Sequence, residues 1–198
     1  MKKASNRILC LLAAALMTLG TLSLAAPEAQ ADAKKTATSA PVGGAFGLTD
    51  HTGKAVTEKS WPGKHKLVFF GFTHCPEICP MTLTRIAEAM EKDKSAFENV
   101  QVLFITTDPA RDTPEVMKEY IANFNPAITG LTGDEKQVKD VETAYKVYSA
   151  KRSIDDGKDY TMDHSAFIYL MSPDDKMLEV LRSETAPEEI AAKVKAHF

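Results

Sequence analysis

The chain has 198 residues, with 24 lysines and arginines against 27 aspartates and glutamates, a net charge of −3. Setting aside residues 1–31, which hold three basic residues and one acidic, leaves 167 residues with 21 basic against 26 acidic, a net −5. That length makes one domain with a sizeable core. The charge gives no reason to expect nucleic acid or an anionic membrane surface as a partner.

The first thirty residues read as an address. Lys2, Lys3 and Arg7 form a basic start, and an apolar run follows from Ile8 to Ala26, broken only by Thr18, Gly20, Thr21 and Ser23. Ala29-Gln30-Ala31 is a small-x-small pattern suited to a signal peptidase. A run of about 19 residues sits at the lower edge of what spans a bilayer, so 1–31 is expected to be a signal peptide cleaved after Ala31 or else a membrane anchor. Cys10 lacks the small preceding residue of a lipoprotein site and reads as one more apolar residue. In either case the rest of the chain is expected to be exported, to a bacterial periplasm, free or anchored to the inner membrane. Residues 32–45, small, polar and Gly/Pro-containing, read as a flexible tether, and 46–198 as the domain. No internal repeats occur.

Within the domain, Phe46 to Val56 is predicted to be a hairpin turning on Asp50-His51-Thr52-Gly53. The continuous apolar run from Lys66 to Phe72 predicts a buried central strand. Leu83, Ile86, Ala87 and Met90, spaced by three and four, predict a helix from Ile78 or Pro80 to about Lys92, with Pro80 in the first turn. Val100 to Thr106 is a second buried strand. Thr113 caps a helix that starts at Pro114 and is predicted to run to about Phe124. Thr132-Gly-Asp-Glu135 matches a capping box opening a helix to Tyr148, and 149–162 reads as a charged loop. A strand from Ser165 to Met171, a turn at Pro173-Asp174-Asp175 and a strand from Met177 to Arg182 form a second hairpin. An amphipathic helix from Glu188 to His197 closes the chain. A βαβ half joined to a ββα half is the thioredoxin-like layout: α/β, a mixed central sheet flanked by helices.

Beyond the leader only Cys75 and Cys79 occur, in Cys75-Pro-Glu-Ile-Cys79. In an oxidising compartment a pair suggests a disulfide. As a structural staple so small a ring stabilises by only roughly 2 kcal/mol, against roughly 4–5 for long loops, so these cysteines are expected to serve chemistry. They lie where a central strand ends and a helix begins, on the functional rim of an open sheet, where the positive helix end lowers thiol pKa. A spacing of four puts both sulfurs on one face, near enough for a disulfide or a shared ion. Soft thiolates favour copper(I) or zinc. A third ligand must come from a distant segment. His51 and His65 fall in turns and His197 in the last helix, all expected to be solvated, and His74 should point away from the sulfurs. His164, just before the third long strand, lies in the loop expected to face the cysteines and is the predicted third ligand.

These motifs carry a resemblance. GFTHCPEICP (71–80), TTDPARDTPE (106–115), GLTGDEKQV (130–138) and DHSAFIYLMSP (163–173) resemble the SCO/SenC family of copper proteins, in order and across nearly the whole domain. The resemblance implies Cys75, Cys79 and His164 as ligands of a copper ion, Cu(I) or Cu(II). It also implies a role in assembling the binuclear copper centre of cytochrome c oxidase, with its copper-centre subunit and another copper chaperone as partners. Departures are Thr107, where a hydrophobic residue is more usual, and Asp174-Asp175 in place of Asp-Gly. Asp108 and Asp163 are candidates to tune a ligand or orient His164, Arg111 and Asp112 are expected to be turn and helix-start residues, and Met81 to fill the core. The main expectation is a copper metallochaperone. The alternative is a thiol-disulfide oxidoreductase using Cys75 and Cys79 as its redox pair, and a third is a copper or redox sensor. Against the reductase, thioredoxins use C-x2-C with a proline facing the motif, whereas no proline occurs between Pro126 and Pro173.

Overall fold

The computed structural model describes residues 41–198. The leader, its cleavage point and Cys10 lie outside the described residues. Among the described residues no helix is long and apolar enough to cross a membrane.

Strands β1 (Gly47–Asp50) and β2 (Ala55–Thr57) form the first hairpin, and β3 (His65–Gly71) leads into α1 (Ile78–Lys92) and the short α2 (Lys94–Phe97). Then come β4 (Val100–Thr106), α3 (Pro114–Ile121), β5 (Ile128–Thr132) and α4 (Glu135–Tyr145). The chain ends with β6 (Ser149–Ile154), β7 (Asp159–His164), β8 (Phe167–Met171), β9 (Met177–Arg182) and α5 (Pro187–Lys195). Seven strands form one mixed sheet in the order β2-β1-β5-β4-β3-β8-β9, and β6 and β7 form a separate two-stranded arm. β3 and β4 are parallel neighbours from His65↔Val100 to Gly71↔Thr106, as the right-handed crossover requires. β8 runs antiparallel to β3 on its other side. This is the thioredoxin-like sheet.

The apolar runs of β3 and β4 are explained by cover on both faces. Leu67, Phe69, Val102 and Phe104 pack under α1, α3 and α5 with Leu83, Ile86, Met117 and Ile190. Val68, Phe70, Leu103 and Ile105 point the other way, to Val138, Val141 and Tyr145 of α4. Lys66, 1 % exposed, is the second residue of the central strand. Its Nζ is paired with the Asp175 carboxylate and donates to the Glu58 carbonyl at 3.2 Å. Val42 packs against the second cluster and the Gly43 N–H donates to the Ala144 carbonyl at 2.9 Å, so part of the predicted tether lies on the fold.

Several predicted elements need correction. β5 was absent from the prediction, because a five-residue segment behind Pro126 with Gly130 at its centre carries little pattern. Gly130 lies in close packing, since a Cβ there would lie 3.2 Å from the Met117 methyl. Thr132 belongs to β5, and the capping box is formed by Asp134 and Gln137. α4 stops at Tyr145 because Lys146 turns left-handed (φ 59°), three residues before the predicted end. α3 stops at Ile121 and gives way to tight turns before Asn125-Pro126, since proline disfavours a helical residue before it. The charged stretch 149–162 is the β6–β7 arm. β8 starts two residues later than predicted, and α5 runs Pro187–Lys195.

Candidate metal centre

Phe72 and Thr73 carry the chain from the end of β3 towards Cys75, and α1 begins at Ile78 with no side-chain cap from its N-cap residue Glu77. The Cys75 sulfur serves instead, accepting from the Cys79 N–H at 3.4 Å. Pro80 falls in the first turn, where a missing N–H costs nothing. Cys79 is fully buried, and Cys75 is half-buried at the mouth of a cleft. The cleft measures about 360 Å³ and is lined by Phe72, Ile78, Arg152, Met162 and His164 among others. No Cβ could stand at Gly71, for it would lie 2.6 Å from the Cys79 sulfur and 2.9 Å from the Phe104 ring. The absence of a side chain there is what lets the second sulfur reach the sheet.

The two thiols divide their roles. Cys75 is lowered to about 4, chiefly by a hydrogen bond from the Cys79 thiol. Burial opposes this, and the backbone N–H groups of Cys79 and Glu77 assist. Cys79 is raised well above the ordinary thiol range, because its S–H donates a hydrogen bond to the Cys75 thiolate and because it is buried. The pair therefore rests as one thiolate and one thiol.

His164 is the last residue of β7. Its Nδ1 lies 3.0 Å from the Ser165 carbonyl, an acceptor, so Nδ1 carries the proton and Nε2 is the free lone pair. Nε2 stands 3.6 Å from the Cys79 sulfur, and the ring meets Phe72 edge-on with centroids 5.7 Å apart. Ligand atoms of Cys75, Cys79 and His164 all lie within 4.8 Å of one another, and this is the only such group of three among the described residues. Two soft sulfurs and one imidazole nitrogen form a donor set for copper(I) or zinc, with one side open to the cleft.

The remaining candidates separate. Asp163 faces Arg152 across the arm at 3.1 Å rather than the His164 ring. Asp108 is fully buried and touches no sulfur, binding Arg111 Nε at 2.5 Å and the Tyr160 hydroxyl at 2.9 Å. Asp112, read from the sequence as a helix-start residue, is also fully buried. It accepts from the Thr73 hydroxyl at 2.6 Å, the Thr73 N–H and the Thr106 hydroxyl, and so braces the segment before Cys75. The only sequence signal for it was a carboxylate placed just ahead of the Thr113-Pro114 helix start. Tyr160 gave no signal. Met162 is buried, whereas Met81 is exposed and not the core residue expected. His74 is exposed, with Nδ1 3.1 Å from the Thr73 hydroxyl. Two histidines predicted to be solvated are partly buried and have protein contacts: His51 Nδ1 accepts from the Gly130 N–H at 3.1 Å, and His65 starts β3 with its ring 4.6 Å from that of Phe198.

"Protein SCO2, mitochondrial" of Saccharomyces cerevisiae is 43 % identical over 176 residues, 86 % of this chain and 58 % of that protein, so the chain spans less than two thirds of its length. The copper-bound structure of Bradyrhizobium japonicum ScoI is 46 % identical with a TM-score of 0.73, covering 79 % of this chain and 99 % of that one. BsSco, described as a member of the Sco family of cytochrome c oxidase assembly proteins and as having a disulfide switch, is 26 % identical with a TM-score of 0.62, covering 80 % of this chain and 95 % of that one. The SCO1/SenC family model matches residues 34–198, and with a thioredoxin-like sheet that gathers Cys75, Cys79 and His164 at one rim, the chain belongs to the SCO1/SenC family.

Proposed function

We propose that this protein is a copper metallochaperone that carries copper between the sulfurs of Cys75 and Cys79 and Nε2 of His164. It delivers the ion to the binuclear copper centre of cytochrome c oxidase during assembly. The observation that carries the reading is the convergence of three copper-type donor atoms within 4.8 Å at an open rim. The copper-bound ScoI neighbour and the description of BsSco support it. Three donors leave one approach to the ion free, so a receiving ligand can bind before a resident one departs. The partners are the oxidase copper-centre subunit as receiver and another copper chaperone as donor. The compartment is the bacterial periplasm, reached by way of the N-terminal segment.

The test is anaerobic titration of the reduced protein with copper(I), followed by mixing with an apo copper-centre domain. One copper per chain, lost in Cys75→Ser and in Cys79→Ser, and then transferred to the receiver, is the expected result. Full binding by either variant overturns the site, and retention of copper in the presence of the receiver overturns delivery.

A second reading is favoured by one observation, the thiolate Cys75 beside the protonated Cys79. Cys75 can attack a partner disulfide, forming a mixed disulfide and expelling one partner thiolate. Cys79, on losing its proton, then attacks the Cys75 sulfur and releases the second partner thiol. Two electrons pass to the partner and a Cys75–Cys79 disulfide remains. His164→Ala separates the readings: it weakens copper(I) binding by at least roughly 10- to 100-fold while disulfide exchange survives if the chaperone reading holds. Unchanged affinity with collapsed exchange favours the reductase.

A further inference from the structure

The histidine half of the site stands on the β6–β7 arm, which shares no strand ladder with the seven-stranded sheet. An isolated two-stranded hairpin is marginal by itself, so something else must fix where His164 stands. Met162 sits in the core cluster, and the polar anchor is found at Tyr160, on the same strand as His164. The Tyr160 hydroxyl donates to Asp108 Oδ1 at 2.9 Å, and its carbonyl accepts from Arg111 Nη1 at 3.1 Å. The Arg111 guanidinium lies 3.8 Å from the centre of the Tyr160 ring and closes the triangle through Nε to Asp108 Oδ2 at 2.5 Å. Arg111 Nη1 also approaches Asp159 at 3.5 Å. Asp108 is fully buried, so each donor it loses leaves part of a carboxylate unpartnered, which the interior penalises.

The same loop grips the other half. Four residues past Asp108, Asp112 holds the Thr73 N–H and hydroxyl two residues before Cys75. Residues 107–113 thus touch the cysteine segment through one aspartate and the histidine arm through another.

We infer that Tyr160 and Arg111 are positioning residues for His164, clamping the β6–β7 arm to the β4–α3 loop so that the imidazole faces the two sulfurs. Release of Tyr160 lets the arm carry Nε2 away, leaving a bound ion on two sulfurs. The inference rests on His164 as a ligand, as proposed above.

The experiment is a double-mutant cycle on the purified full chain, read by copper(I) competition, with amide hydrogen exchange on the metal-free protein as a second readout. Tyr160→Phe, which keeps the ring under Arg111, and Tyr160→Ala are each placed in the native and the His164→Ala backgrounds. Copper(I) affinity is expected to fall roughly 10- to 100-fold for Tyr160→Ala, less for Tyr160→Phe, and not further when His164 is already gone. Exchange should accelerate across residues 149–164 while β3 and β4 stay protected. An equal loss in both backgrounds, or no loss in the native one although His164→Ala weakens binding, overturns the clamp and leaves the copper site standing. If His164→Ala changes nothing, the ligand reading has failed; unchanged exchange in the arm of Tyr160→Ala would then overturn the clamp as well, and accelerated exchange would uphold its grip on the arm.

Discussion

Cys75 and Cys79 lie four residues apart yet hold their protons very differently, because one is the acceptor of the pair and the other the buried donor. A thiol whose folded pKa lies below its unfolded value, about 8.5, stabilises the fold above that value and loses the contribution as pH falls through the folded one. For Cys75 that window runs from about 4 up to the ordinary thiol range. The reduced, metal-free protein should therefore become more stable as pH rises through this window, and Cys75→Ser should flatten the rise in urea-unfolding titrations. Cys79, shifted the other way, acts only above the ordinary range and with opposite sign. At pH 6 a limiting dose of iodoacetamide should label Cys75 and spare Cys79 on peptide mass analysis; equal labelling would contradict the assignment. Gly71→Ala tests the close approach at the strand end. Its Cβ has no room beside the Cys79 sulfur, so a stability loss of roughly 1–3 kcal/mol and weaker copper binding are expected, and a neutral variant would refute the packing argument.

Among the elements, legibility followed burial pattern. β3, β4 and α1 were readable because each carries a dense apolar signal: unbroken runs for strands covered on both faces, three-and-four spacing for a helix covered on one. The histidine arm was unreadable for the opposite reason. β6 is exposed along its last four residues and rich in charge, so no alternation marks it. Its strand character comes from pairing with β7, from Ser149↔His164 to Ile154↔Asp159. The three ligand candidates were legible by residue chemistry, whereas Asp112, Arg111 and Tyr160 act through contacts between segments up to 52 residues apart, which no local pattern encodes. The capping box was placed two residues early because Thr132 and Glu135 offer the same spacing as Asp134 and Gln137. Asp134→Ala should cost about 1 kcal/mol by denaturant unfolding, while Thr132→Ala should not show the loss of a cap.

At the scale of the whole molecule, stability and site chemistry are anchored at opposite ends of the central strand. Lys66 and Gly71 are five residue steps apart along extended chain, roughly 16 Å at about 3.3 Å per residue. Asp175, in left-handed conformation at the β8–β9 turn, supplies the carboxylate that accompanies the buried lysine. Asp175→Ala strands that charge and should destabilise the fold by roughly 3–5 kcal/mol, with copper(I) affinity unchanged so long as the protein is folded. A joint loss would show that the two ends are coupled. Between those ends the unequal depth of the two sulfurs gives traffic through the site a sequence in time. In the transfer proposed above, a visiting thiolate arriving from the cleft would meet Cys75 first. Cys79 lies beneath, against Gly71 and Phe104, where no visitor reaches. For an ion carried as proposed, the hidden sulfur is thus the later of the two to let go, and the pace of departure is set in part by a sulfur that the receiving protein does not touch.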